Sequence, residues 1–478
     1  MKEFNQLSKG TIPGSDQKGE INSDSPQAVF PGTIELRSLL CFFLLISVGH
    51  YLNAQVKVWS VDDCINYALE KNIQIQKALV SNKISEINLD FSKSAWYPSL
   101  SGSVRQNFDW SNQNNTTTGS TVFREGNGTN ISVNSGMTVF NGNKLRNNVK
   151  KSQTDYEADK YNTEIIRENI RLSVLNAYLQ VLYSEESVKN SNNQITSTIE
   201  QLNLAGERLK LGAIANSDYL QVKSQLATEK QTLATAESQL AINKITLMQL
   251  MELQDYSDFS IERPNLDSLI NQKRVPDPKD VFQVSLGIRP EVKNAELLNK
   301  SSQISVEIAR ANFFPDITLN AGISTLYSGP NSGSSYGSQI GNNISPGIGL
   351  TASIPIYLNK QVRTNVKIAK RNTENAGLDE LNVKNQLRKS IEQACQDVTS
   401  SQIEYEASAE AYNAVKESFD VASEKYFQGL MNSVDFLIQK TSYISSESAY
   451  LQSKYKLVFS YKVLDYYLGL PLSFKNAK

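Results

Sequence analysis

The absence of proline between Pro98 and Pro264 constrains the fold of this chain more than any other feature of its sequence. Proline is the strongest helix breaker, because its ring clashes with the preceding turn and its nitrogen carries no proton. From 143 to 253 the sequence also contains only two glycines, Gly206 and Gly212. Since a glycine readily adopts the left-handed conformation that ends a helix, the pattern predicts two long helices joined as a hairpin at Gly212.

The same arrangement recurs in the second half of the chain. The segment 207–218 reads E-R-L-K-L-G-A-I-A-N-S-D, and 424–435 reads E-K-Y-F-Q-G-L-M-N-S-V-D. Their central glycines, Gly212 and Gly429, lie 217 positions apart (429 − 212). Other landmarks share this offset, namely Trp96-Tyr97-Pro98 with Phe313-Phe314-Pro315, Phe140 with Tyr357, Arg146 with Arg363, and Asp63 with Asp280. A constant offset over this length indicates one internal duplication rather than a solenoid of short repeats.

Residues 1–54 predict a leader and a signal peptide. The first 34 residues are polar, and the simplest explanation for them is a misassigned translation start. Leu39–Val48 is an apolar run that follows Arg37 and is closed by Asn53-Ala54. This run is too short to cross a bilayer as a helix, but it matches the core of a signal peptide. We expect cleavage after Ala54.

The composition of the remaining chain argues against several classes of protein. Residues 55–478 contain 44 Lys+Arg (48 − 4) and 44 Asp+Glu (49 − 5), so their net charge is zero. A neutral chain gives no indication of a nucleic-acid partner. The single histidine, His50, lies in the removed part, and we find neither a phosphate-binding loop nor zinc-ligand spacing. We therefore predict no enzyme, no cofactor and no metal site. Cys64 and Cys395 are not repeat mates and are expected to be small buried side chains.

Two stretches in each repeat alternate between apolar and polar residues, as strands with one apolar face do. Polar loops at 111–128 and 328–343 separate the strands of each pair. We expect about ten residues per strand, a length typical of outer-membrane strands. Aromatic residues mark the strand ends: Trp96, Tyr97, Trp110, Phe140, Phe313, Phe314, Tyr327 and Tyr357. The strands alone match a soluble sheet with one wet face equally well, but the signal peptide and the long helices favour the membrane.

Each repeat is thus predicted to contain a helix, two strands, a long helix, a tip and a returning long helix. We assign 55–262 to the first repeat, 263–279 to a proline-containing joint and 280–478 to the second repeat. The long helices, predicted at about 100 Å, must pack as a coiled coil or as the wall of a bundle.

Four strands cannot close a membrane barrel, since known outer-membrane barrels begin at about eight. An open edge in lipid would leave backbone groups without hydrogen bonds, at a cost of several kcal/mol each. The chain is therefore expected to share a barrel with copies of itself in closed cyclic symmetry. Two copies would give eight strands around a filled interior, and three would give twelve around an open lumen. The small polar side chains of the lumen face favour three copies.

These features resemble the family of TolC-like outer-membrane efflux proteins. The resemblance covers 60–470 and rests on the duplicated plan, the two Gly-x5-Asp tips and four local motifs: Trp96-Tyr97-Pro98, Phe313-Phe314-Pro315, Val139-Phe140-Asn141-Gly142 and Pro355-Ile356-Tyr357. It implies a mixed, mainly α fold, in which a duplicated repeat supplies a four-stranded share of a trimeric transmembrane β-barrel. Long α-helical hairpins would form a periplasmic α-barrel.

The resemblance also implies a function and a set of partners. The function is that of an outer-membrane channel-tunnel in a tripartite efflux or type I secretion system of a Gram-negative bacterium. Its partners would be further copies in a homotrimer, a periplasmic adaptor protein, an inner-membrane transporter and outer-membrane lipid, with no nucleic acid. The sequence does not specify the transported substrate.

The resemblance assigns two groups of residues to the tips. The adaptor would dock on Leu211, Gly212, Ala213, Gln428, Gly429 and Leu430, and the carboxylates of the aperture would be Asp218 and Asp435. Two positions depart from the family pattern. Ile438 replaces a further acidic residue one turn after Asp435, and Thr138 replaces the proline that the second repeat has at Pro355.

The alternative function is that of a periplasmic coiled-coil adaptor or scaffold whose hairpins bind partners. That hypothesis explains the helices but leaves four alternating strands with aromatic ends unexplained. The carboxylates at the tips also have a second interpretation, because acidic residues near the start of a helix are favourable without any aperture.

Overall fold

The computed structural model describes residues 57–114, 117–254, 259–266, 270, 275–329 and 333–474. All of them belong to one unit, Val56–Lys478. The predicted leader and signal peptide, residues 1–54, lie outside the described residues, as does part of the predicted joint.

The described helices repeat along the chain with the offset found in the sequence. In the first repeat they are α1 (Val61–Lys71), α2 (Ile73–Ser94), α3 (Lys144–Lys210) and α4 (Asn216–Met251). In the second they are α5 (Pro278–Ile288), α6 (Pro290–Ala311), α8 (Gln361–Phe427) and α9 (Ser433–Leu468), with a short helix α7 (Tyr336–Asn342) between strands. Every first-repeat helix has its counterpart 217 residues later (361 − 144), which confirms the duplication. None of the helices described is both long enough and apolar enough to span a bilayer.

The outgoing and returning helices of each hairpin differ in length. Helices α3 and α8 have 67 residues each, whereas α4 and α9 have 36. A returning helix therefore accompanies only about half of its roughly 100 Å partner. The other half of α3 packs against α2 and α6, and that half of α8 packs against α6. Short helices from both repeats thus complete the packing that the hairpins leave open.

The single helix predicted before the strands of the first repeat is broken at Asn72. The backbone of Asn72 leaves the helical region (φ −58°, ψ 129°), and its side chain accepts a hydrogen bond from the Gln74 amide. The Asn72 amide group also donates to the Leu250 carbonyl of α4 over 2.9 Å. The equivalent break in the second repeat precedes Pro290, which opens α6. That proline was the available sequence signal for the break.

The strands that follow the short helices form one antiparallel sheet. Its members are β2 (Ser99–Asn114), β3 (Thr121–Phe140), β5 (Asp316–Ser328) and β6 (Ser345–Ser353), in that order. Strand β3 pairs with β5, so the two repeats join through the centre of the sheet. Two further short strands, β1 (Val58–Trp59) and β4 (Ser260–Ile261), pair in parallel beside the helices.

The sheet has one apolar and one polar face, as the alternation predicted. Residues paired directly across antiparallel strands share a face, and the register pairs Val104 with Ile131 and Leu319 with Leu350. The apolar side chains are exposed: Leu100 is 77% exposed, Val104 73% and Ile348 78%. On the opposite face Ser103 and Ser132 share a hydrogen bond of 2.8 Å. An exposed apolar face is typical of a surface that contacts lipid or another protein chain.

The strands of the first repeat are longer than the sequence predicted. Strands β2 and β3 have 16 and 20 residues rather than about ten, and they pair as far as Asn114 and Thr121, inside the predicted polar loop. Backbone pairing needs no apolar side chains, so the loss of alternation does not mark the strand end. A register shift between Thr138 and Phe140 leaves Val139 as an extra residue, in the segment where the second repeat has Pro355.

The largest apolar core lies around the middle of the long helices. It combines α1, α3, α4, α5, α8 and α9 through residues that include Ile65, Val174, Leu247, Val281, Ile391 and Leu457. Cys64 and Cys395 are buried and unbridged, which confirms their predicted role. Burial raises the pKa of Cys64 to about 12, so its thiol stays neutral and unreactive.

Candidate functional site at the hairpin tips

Both long helices end in the same backbone motif. At the first tip, Gly212 has φ +70°, its amide donates to the Leu209 carbonyl over 3.0 Å, and the Ala213 amide donates to the Arg208 carbonyl over 2.8 Å. This pair of hydrogen bonds around a left-handed residue is the Schellman motif, which satisfies the last carbonyls of a helix. The predicted turn at Gly212 is therefore present.

The second tip repeats the motif. Gly429 has φ +80°, its amide donates to the Tyr426 carbonyl over 3.1 Å, and the Leu430 amide donates to the Lys425 carbonyl over 2.8 Å. A Cβ at Gly212 would meet no atom within 4 Å, and one at Gly429 would meet only Arg208 Nη2, at 3.9 Å. Conformation, rather than lack of space, requires glycine at both positions.

The six predicted docking residues all lie exposed at the two apices. Leu211 is 83% exposed and Leu430 is 73% exposed, although both are large apolar side chains. The other four are also exposed: Gly212, Ala213, Gln428 and Gly429. Each apex therefore presents a leucine beside a glycine, where a partner can approach the backbone closely.

The two predicted tip carboxylates occupy equivalent positions with different surroundings. Asp435 is exposed in the first turn of α9, and its carboxylate accepts a hydrogen bond from Asn432 Nδ2 over 2.8 Å. Asn432 Oδ1 in turn accepts from the Asp435 amide over 2.9 Å. The partly buried Asp218 lies in the first turn of α4, which begins at Asn216 after Ala215, a residue without a capping side chain. Asn432 is thus the N-cap of α9, and the Asp435 carboxylate contacts its side chain at the helix start, where the dipole favours a negative charge.

Arg208 connects the two tips, a role that the sequence analysis missed. Its Nη1 donates to the Tyr426 carbonyl over 2.9 Å, and its Nη2 donates to the Phe427 carbonyl over 2.7 Å. The guanidinium also lies 5.5 Å from the centre of the Tyr426 ring. These carbonyls belong to the last turn of α8, where the helix dipole favours a cation. The available signal was a basic residue in the last turn of both long helices, Arg208 and its repeat mate Lys425.

The second hairpin is held together by a ladder of aromatic rings. Rings from α8 and α9 alternate along the seam, with stacked pairs at 5.2 Å (Tyr412–Tyr450), 4.9 Å (Phe419–Tyr443) and 4.5 Å (Tyr426–Phe436). Both helices place these residues seven apart, the spacing of a coiled-coil seam. The full set is Tyr405, Tyr412, Phe419 and Tyr426 on α8, with Phe436, Tyr443 and Tyr450 on α9.

The first hairpin has mostly aliphatic residues at the matching positions. They are Val188, Ile195, Leu202 and Leu209 on α3, with Tyr219, Leu226 and Leu233 on α4. Aromatic pairs contribute about 0.5–1.5 kcal/mol beyond the area that they bury. The second hairpin therefore has ring-to-ring contacts along its seam that the first hairpin mostly lacks, and Arg208 contacts it where the ladder ends, at Tyr426.

The fold is shared with known proteins. A family model described as outer membrane efflux protein matches residues 64–252 and again residues 281–470. The outer membrane efflux protein BepC of Brucella suis is 21% identical over 401 residues, which cover 83% of this chain and 83% of that protein. The outer membrane protein TolC of Salmonella enteritidis is 24% identical over 373 residues, covering 73% and 71%. The structure of the Campylobacter jejuni CmeC outer membrane channel has a TM-score of 0.74 at 18% identity and covers 87% of each chain.

Proposed function

Because this chain belongs to the family of outer membrane efflux proteins, we propose that three copies of it assemble into one export channel with its aperture at the hairpin tips. The chain is an outer-membrane efflux channel rather than a periplasmic adaptor, since the family match spans both repeats with their strands. The relatives are channel proteins and not enzymes, and we assign no catalytic residue.

The edges of the sheet carry the proposal of a shared barrel. Among the described residues, β2 pairs only with β3, and β6 pairs only with β5. Both edge strands expose apolar side chains, Leu100 and Ile348 among them. An unpaired edge in lipid costs several kcal/mol for each unsatisfied group. Pairing β2 of one copy with β6 of the next would remove every such edge, and three copies would contribute twelve strands around a lumen lined by the polar face.

The assembly is tested by the mass of the native protein. We expect the protein to fractionate with the outer membrane, to need detergent for extraction, and to show the mass of three chains by native mass spectrometry. Recovery as a single chain in the detergent-free periplasmic fraction would contradict both the shared barrel and the channel.

The exposed apices support a second part of the proposal. We assign docking of a periplasmic adaptor, and through it of an inner-membrane pump, to Leu211, Gly212, Ala213, Gln428, Gly429 and Leu430. A leucine exposed beside a left-handed glycine, present at both tips, suits the apolar face of a partner helix. The two repeats would then offer similar but unequal docking sites, since Arg208 contacts only the second tip.

The tip carboxylates are proposed to set the charge preference of the aperture. In a three-fold assembly Asp435 would form a ring of three carboxylates, and so would Asp218. At a separation of about 6 Å and an effective dielectric near 20, two carboxylates repel by roughly 3 kcal/mol. A cation in the ring relieves that repulsion, so the closed aperture should prefer cations.

An Asp435→Asn variant should weaken cation preference and inhibition by divalent cations in planar-bilayer recordings. Asparagine keeps an oxygen that can accept a hydrogen bond from Asn432, so the free energy of unfolding should fall by about 1 kcal/mol or less. Asp420→Asn is the matched control, since Asp420 is also exposed but lies two turns from the end of α8. Wild-type selectivity combined with lost thermal stability would show that Asp435 only caps its helix.

A further inference from the structure

A buried ion pair joins the two hairpins above their tips. Lys440 of α9 is 2% exposed and Glu229 of α4 is 4% exposed. The Lys440 Nζ atom lies 2.9 Å from Glu229 Oε1. One charge therefore comes from each hairpin, and both are removed from water.

Polar groups from the first hairpin complete this cluster. Thr198 of α3, which is fully buried, contacts Lys440 Nζ and donates its hydroxyl proton to Glu229. Gln225 Nε2 donates to Glu229 Oε1 over 3.0 Å. Three helices thus meet at one point, and the lysine finds its partners only when α9 lies in register against α3 and α4.

The equivalent positions of the duplicated repeat do not form such a cluster. The repeat mate of Lys440 is Lys223, which is exposed. Glu229 corresponds to Ser446 and Thr198 corresponds to Val415, so the second hairpin has no equivalent ion pair. The cluster occurs where one hairpin contacts the other, which indicates a role in their relative position.

The energetics of a buried pair decide what that role is. Removing two charges from water costs several kcal/mol per ion, and their attraction often does no more than offset this cost. Burial lowers the pKa of Lys440, and the nearby Glu229 carboxylate opposes that shift. Apolar residues of similar volume would therefore hold the hairpins together at least as tightly, although with less selection of register.

We propose that the Lys440–Glu229 pair is a release point between the hairpins, which fixes their closed register but lets them part because both charges regain water on separation. The proposal rests on the proposed function, a channel with its aperture at the hairpin tips, and adds that the two hairpins separate when the aperture opens. An apolar contact at this point would have to expose its surface on opening, whereas the charged contact gains hydration.

The test compares single and double apolar replacements in channels reconstituted in planar bilayers. Lys440→Met leaves Glu229 buried without a counter-charge, so the ratio of open to closed time should rise roughly tenfold or more. Lys440→Met combined with Glu229→Leu should instead lower that ratio below the wild-type value, because the contact becomes apolar and dry. Lys223→Met is the control on the exposed repeat mate and should change nothing.

The pH dependence of the wild-type channel gives a measurement that needs no variant. A lysine with a lowered pKa in the closed state binds its proton more tightly after the hairpins separate. The closed state should therefore gain stability as the pH rises from the lowered pKa toward the ordinary value of about 10.4. Three neighbouring groups bear on the titration of Lys440. Glu229 of α4 forms the ion pair with it, and Thr198 of α3 contacts it but does not titrate. Tyr443 lies one turn along α9, and burial raises the pKa of its phenol.

We thus expect fewer openings of the wild-type channel as the pH is raised toward the ordinary lysine pKa of about 10.4, and no such change in the Lys440→Met variant. A double variant that opens more than wild type, or wild-type openings that do not fall with pH, would overturn the proposal. Reconstituted wild-type protein that forms no pore would instead refute the proposed channel function, so the two failures are distinguishable.

Discussion

A Gly429→Val variant is expected to assemble in the outer membrane and yet to lose export. Valine held in the left-handed conformation of Gly429 (φ +80°) costs roughly 1–2 kcal/mol, and its Cβ would meet only the end of the Arg208 side chain. The tip should therefore change its backbone locally, and the docking surface should change with it. The large core around Val174 and Leu457 does not include the tips, so folding and assembly should survive. Gly212→Val should behave in the same way.

Each variant is expressed in a strain that lacks the wild-type protein, and export by that strain is measured. The trimer band on mild gels reports assembly. Gly287→Val is the matched control, because a Cβ at Gly287 also meets no atom within 4 Å but the backbone there is helical. Loss of the trimer band in the tip variants would show that the glycines serve the fold rather than docking.

Replacing Arg208 by glutamine should open the channel without any export partner. The two hydrogen bonds that its guanidinium donates to Tyr426 and Phe427 carry a positive charge, and such bonds contribute about 1.5 kcal/mol each where they are partly exposed. Losing both should raise the ratio of open to closed time roughly a hundredfold. The aromatic ladder still joins α8 to α9 in this variant, so the freed tip should move as a unit instead of unravelling.

Single-channel recordings of the purified channel provide the measurement for Arg208→Gln. Lys210→Gln is its control, since Lys210 is an exposed cation in the same last turn of α3. Equal opening by both variants would mean that the general charge of the tip, rather than the bonds to α8, holds the aperture closed. An unchanged ratio of open to closed time in the Arg208 variant would mean that Arg208 does not hold the aperture closed.

The features that could be predicted from the sequence depend on local chemistry. A long run without proline permits a long helix whatever lies around it, and a glycine ends that helix at little conformational cost. Gly212 and Gly429 could therefore be placed at the tips before any contact was known. The two faces of the sheet follow from the alternation of side chains along a strand. Because the offset is constant, each assignment made in one repeat also applied to the equivalent position of the other.

The strand ends were predicted poorly because strand pairing depends on the neighbouring backbone. The segment from Ser111 to Asn114 lost its alternation and was assigned to a loop, yet it continues β2 because Thr121–Arg124 supplies a partner. Asn72 ends α1 while its amide reaches a carbonyl of α4, which no local pattern reveals. The predicted docking and aperture residues remain proposals, although the structure places all of them at the tips or in the first turns after them.

By itself the sequence determined the duplicated plan, the helical hairpins, their tips and the two-faced strands, because each depends on the conformational preferences of neighbouring residues. Only the tertiary structure decided which hairpin contacts which, and through what groups. Arg208 reaches Tyr426, and Lys440 reaches Glu229, across more than two hundred residues of chain. Contacts between distant residues depend on how the helices pack and in what register. A lysine buried beside a glutamate therefore looks, in the sequence alone, like its exposed repeat mate Lys223.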